Sequence, residues 1–104
     1  MIRQDIQIEN YWDIIVIYNV YLGEKNSGFT HTNFNEKLSI VAIGKADSKK
    51  QFLNTIVHEA KHVQSHICDY YDVPEDGEQA AYLIGYMVQK MHRVFKDMIS
   101  TGVK

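Results

Sequence analysis

His58, Glu59 and His62, in the stretch HEAKH, put two imidazoles four residues apart with a carboxylate directly after the first. On an α-helix residues advance by about 100° and 1.5 Å each, so His58 and His62 stand one above the other on one face. Two imidazoles so arranged can each turn a nitrogen toward one Zn²⁺ at about 2.0–2.1 Å, with a third protein ligand and a fourth position left to water. Zinc lowers the pKa of that water to about 7, and an adjacent carboxylate can take its proton during attack on a carbonyl. Glu59 stands in the position of that general base, so the chemistry expected is zinc-dependent hydrolysis.

The third ligand has several candidates. On a helical wheel counted from Phe52, Cys68 falls near 160°, away from His58 near 240° and His62 near 280°, which makes it a poor ligand. The metzincin pattern H-E-x-x-H-x-x-G-x-x-H is not met, because Ser65 holds its glycine position. His66 lies about 12 Å of rise from His58 and reads as a residue beside the site. Glu78 is the better candidate, His92 the reserve, with Glu75 and Asp76 after it. Glu78, Tyr82, Gly85, Gln89 and His92 would share one helical face, and Ala81 and Gly85 would let another backbone approach closely. A first helix running to Tyr70 and then reversing would leave Glu78 about 12 Å of rise beyond His62, so this ligand calls for an earlier helix end or a crossing.

The elements that must hold these residues follow from periodicity. Residues 11–22, YWDIIVIYNVYL, are dense in β-branched and aromatic side chains and read as a buried strand. GEKNSG at 23–28 is a polar connection, and 29–44 reads as one or two strands, LSIVAIG the surer. From about 48 to 70 the apolar residues Phe52, Leu53, Ile56, Val57, Ala60, Val63 and Ile67 recur at helical spacing, and the histidine pair lies off that stripe. Turn residues follow, and Asp76 with Gln79 forms a capping box for a second helix over about 77–99. Its stripe is Ala80, Leu83, Ile84, Met87, Met91, Val94, Phe95 and Met98. The fold class expected is α+β: a short N-terminal sheet followed by an active-site helix and a second long helix.

A chain of 104 residues, 45% hydrophobic, has the size of a single domain over 1–104. Its net charge of −2 leaves no basic footprint for nucleic acid or anionic lipid. IIVIYNVYL at 14–22 is too short for a transmembrane span and lacks the exit of a signal peptide. The single cysteine, Cys68, points to a reducing compartment, the cytoplasm.

HEAKH followed by EQAAYLIGY resembles the zincin metallopeptidases of gluzincin type. The longer pattern, from NYWDIIVIYNV through SIVAIG and QFLNTIVHEAKH to AAYLIGYMVQKM, is similar to small H-E-x-x-H proteins encoded in phages and prophages of Bacteroides-like bacteria. The resemblance implies a zincin-like fold with zinc on His58, His62 and Glu78, Glu59 as base, and a peptide or protein substrate. It also implies that LSIVAIG lines the cleft and holds an extended peptide by main-chain hydrogen bonds. Tyr82, one turn from Glu78 and flanked by Leu83 and Ile84, reads as a packing residue before one that steadies an oxyanion. Two departures accompany the resemblance: the gap from His62 to Glu78 is short for a gluzincin, and Tyr82 stands where an acid would follow Glu78. So small a domain leaves the far wall of a cleft to a protein partner. The alternative is a catalytically silent zincin-fold accessory protein whose exposed tyrosines bind a partner.

Overall fold

The computed structural model describes residues 1–23 and 26–102, the last four by their backbone; Glu24 and Lys25, in the connection expected at 23–28, lie outside the described residues. Strands β1 (Ile2–Ile8), β2 (Trp12–Val20), β3 (Gly28–Asn33) and β4 (Leu38–Gly44) precede helices α1 (Lys49–Tyr71), α2 (Glu78–His92) and α3 (Phe95–Gly102). The class is α+β, as expected.

β1 was not expected, yet its alternation is plain once seen: Ile6 and Ile8 are buried while Arg3, Asp5 and Gln7 are exposed. The strands lie in the order β1-β2-β4-β3. β1 pairs antiparallel with β2, β2 parallel with β4, and β4 antiparallel with β3. The parallel pair exists because the chain leaves β2, passes beyond β4 to form β3 at the margin, and returns through a hairpin into the gap. One face of the sheet supplies the core, with Trp12, Ile14, Val16 and Tyr18 from β2 and Val41 and Ile43 from β4.

α1 begins at the N-cap Ser48, whose Oγ accepts the Gln51 amide at 3.1 Å. Phe52, Ile56, Ala60, Val63 and Ile67 are buried as the periodicity requires, but Val57 is 45% exposed. The buried arc extends instead to the other side, over Thr55 and Glu59.

The second helix departs from expectation at both ends. Its N-cap is Gly77, with no side-chain cap, so Asp76 forms no capping box. It also stops at His92, where a single helix to 99 was expected, and the cause is a competitor for one carbonyl. The Gln4 Nε2 amide donates to Lys90 O at 2.9 Å, and the Val94 N–H, four residues on, turns to Met91 O at 3.2 Å. That tightened i→i−3 turn ends α2, and α3 restarts at Phe95. The second stripe is otherwise as read, with Ala80, Met87, Met91, Val94 and Met98 buried.

Phe52 is fully buried and its ring centroid lies 5.2 Å from Phe95 and 6.3 Å from Tyr18, joining helix, sheet and C-terminal turn. Phe52→Ala is expected to lower the unfolding free energy by about 3–5 kcal/mol, as core phenylalanine truncations do, read from the shift in urea midpoint at unchanged slope.

Candidate functional site

The site grows from the contact between α1 and the edge strand β3. The two backbones come close because position 28 is glycine. A Cβ there would stand 3.0 Å from Ala42 O, 3.0 Å from Thr55 Cγ2 and 3.2 Å from Glu59 Cγ. With that approach made, Thr30 and Thr32, alternate residues of β3, reach the helix.

Thr30 Oγ1 donates to Glu59 Oε1 at 2.7 Å, and Glu59 is only 4% exposed. Among the described residues Oε2 has no hydrogen-bond partner and no buried side-chain oxygen lacks one, so Oε2 retains contact with solvent. One oxygen is anchored and the other is open, the arrangement a general base needs.

His58 and His62 project from the exposed side of the same helix. Their Nε2 atoms are 3.1 Å apart and their ring centroids 4.7 Å apart. Two nitrogens bound to one tetrahedral zinc at the usual bond length would be separated by roughly 3.3 Å, so the pair fits a metal with little adjustment. A hydrogen bond between two Nε2 atoms holds one proton between them, and a metal would take that proton's position.

His66, one turn beyond, belongs to a different arrangement. The Trp12 indole N–H can only donate, and it does so to Ser39 Oγ at 3.1 Å. Ser39 Oγ lies 2.8 Å from Thr32 Oγ1, which lies 2.7 Å from His66 Nδ1. The order that leaves every hydroxyl proton with an acceptor runs from Trp12 to Ser39 to Thr32 to His66. Nδ1 is then the acceptor, and the neutral ring carries its proton on Nε2. Burial holds this imidazole below its ordinary 6.5; neighbouring His62 and His31 add to the effect and Asp69 opposes it.

The remaining candidates are not gathered with the pair. On α1, Ile67, Cys68 and Tyr71 line a cavity together with Tyr82, Leu83 and Tyr86 of α2. On the wheel those α1 residues span about 60–160°, roughly opposite His58 and His62. Glu78 is exposed in the first turn of α2 and His92 half-buried in its last. Among the described residues no three His, Cys, Asp or Glu are assembled as a metal-holding group. Cys68 is buried. Glu75 is engaged by Lys61 Nζ and Ser65 Oγ, both at 3.2 Å, which hold its carboxyl below the usual range.

Three further expectations are corrected. LSIVAIG is β4, paired on both sides, so it has no free main-chain edge for a peptide; β3, FTHTN, is the margin. Ala81 and Gly85 are exposed, and nothing lies within 4 Å of a Cβ built on Gly85, so no close helix crossing occurs there. Tyr82, read first as a packing residue, is 76% exposed and lines a cavity with Tyr71 and Tyr86. Thr30, Thr32, Gly28 and His31 went unnoticed in the sequence; the T-H-T alternation directly after a glycine was the available signal.

No protein-family model, curated protein or solved structure matches this chain.

The hydroxyl chain predicts that His66 is the Nε2–H tautomer, readable from its imidazole ¹⁵N shifts. Thr32 donates to the neutral ring, so Thr32→Val should raise the His66 pKa toward 6.5. Because the folded pKa is depressed, the unfolded chain protonates first, and stability should fall as pH drops below about 6.5, less steeply in Thr32→Val. A protonated Nδ1 in the native ring would contradict the assignment. Gly28→Ala should cost about 1–3 kcal/mol, read by thermal melting, because its nearest contact is backbone that cannot yield cheaply.

Proposed function

We propose that the chain is a zinc-dependent hydrolase of zincin type, cleaving peptide or amide bonds, with His58 and His62 holding the metal and Glu59 as general base. The observation that carries this reading is the pair of Nε2 atoms 3.1 Å apart on a solvent-open face, directly beside a buried carboxylate with one oxygen anchored. A bound zinc would supply Lewis-acid polarisation of the scissile carbonyl and an acidified water.

The chain's own residues do the rest. Glu59 Oε2 takes the proton of the attacking water while Thr30 keeps Oε1 fixed, so the carboxylate does not swing away. The outer edge of β3 offers main-chain donors and acceptors to an extended peptide, the role first expected of LSIVAIG. A protein partner completes the far wall of the cleft. Glu78 is the third ligand first expected, and among the described residues no third His, Cys, Asp or Glu is grouped with the pair. That same feature favours the second reading, a catalytically silent accessory protein on this scaffold.

Calorimetric titration with Zn²⁺ should give one site per chain, weakened at least about tenfold by His58→Ala or His62→Ala. Glu78→Ala should leave the affinity unchanged; a tenfold loss would make Glu78 the third ligand. Zinc-loaded protein incubated with a proteome-derived peptide mixture should generate new N-termini, and Glu59→Gln should cut that rate about 10²–10⁴-fold while binding zinc normally. Full cleavage by Glu59→Gln would refute the mechanism, and absence of zinc binding would leave the accessory reading in its place.

A further inference from the structure

On the flank of α1 opposite the histidines, the β1–β2 turn, the last turns of α1 and the first turns of α2 enclose an open cavity of about 720 Å³. This is within the range of small-molecule sites, about 300–1,000 Å³. Its apolar floor includes Ile8, Ile67 and Leu83, and four tyrosines, Tyr11, Tyr71, Tyr82 and Tyr86, contribute to its walls.

Three of these rings are anchored. Tyr71 Oη donates to Tyr11 O at 3.1 Å, and the two rings meet edge to face at 5.5 Å. Tyr86 Oη donates to Gln7 O at 3.4 Å. Fixed rings lose little freedom on binding a ligand, which favours a preformed site.

Among the described residues Glu9 is the only charged one in the lining, and its carboxylate, after burial, helps to hold the Tyr11 phenol above its ordinary 10.0. α1 ends here with no basic residue in its last turn, and its C-cap is another acid, Asp72. Aromatic faces attract cations through their quadrupole, and Tyr86 already receives the Lys90 ammonium 5.3 Å from its centroid. An apolar floor with tyrosine walls, one carboxylate and no lining cation suits a positive charge carried on an apolar body.

We propose that this cavity binds an organic cation of the alkylated-ammonium class, its charge set among the tyrosines and Glu9 and its apolar part against Ile67 and Leu83. The site lies on the other side of α1 from His58 and His62 and works whether or not the chain binds zinc.

The test uses choline as the probe and 3,3-dimethylbutan-1-ol as its neutral counterpart of nearly the same shape, titrated into the full chain and followed by ¹H–¹⁵N spectra. Choline should give saturable shifts confined to residues 8–11, 67–73 and 79–86, and the neutral analogue should bind at least about tenfold more weakly. Tyr82→Ala, at a rim position 76% exposed and so safe for folding, should weaken choline about 2- to 30-fold, and Glu9→Gln should do so comparably. Equal binding of the neutral analogue, shifts centred elsewhere, or saturable binding of spermidine with none of choline would each overturn the proposal.

Discussion

The close approach of α1 to β3 governs the rest of the molecule. Gly28 removes the one side chain that would hold helix and strand apart, and Thr30 and Thr32 then bond Glu59 and His66. A glutamate buried to 4% is costly unless it is hydrogen-bonded, and Thr30 provides the bond. Once Glu59 is turned in toward β3, helical geometry fixes His58 and His62 on the outward side, one turn apart. Burial of the carboxylate and exposure of the imidazoles are thus consequences of one rotational setting of the helix.

That same setting separates the two flanks of α1. α2 lines the cavity on the opposite flank, and the turn before it is tied back to α1 by Gln64 Nε2 to Glu75 O at 3.1 Å and by Lys61 and Ser65 to the Glu75 carboxylate. One flank thereby presents imidazoles and a carboxylate beside a free strand edge, and the other presents tyrosines around an apolar cavity. A helix of 23 residues serves as the wall of both.

How much of this the sequence discloses depends on the range of the interaction. The strand over Trp12–Val20 and the buried face of α1 were legible, because they rest on the local period of apolar residues. The outward direction of His58 and His62 was legible for the same reason. The end of α2 at His92 was not, since it depends on Gln4, 86 positions away, taking the Lys90 carbonyl. The edge position of β3 was equally hidden: strand order is set by pairing across the sheet, and LSIVAIG, the more apolar strand, belongs in the middle because it is the more apolar. Glu78 looked suitable as a ligand because its helical face avoids the core, which it does; which flank of α1 that face adjoins is a tertiary matter that no wheel reports.

The central claim, that the orientation of α1 against β3 makes His58 and His62 a metal-binding pair, is tested most directly by imidazole ¹⁵N spectra during zinc titration. The account predicts that one equivalent of Zn²⁺ moves the Nε2 signals of His58 and His62 to metal-bound values, while the His66 Nδ1 bonded to Thr32 and both nitrogens of His92 stay unchanged. If the His58 and His62 signals stayed in place, or if His92 moved with them, the account would be contradicted.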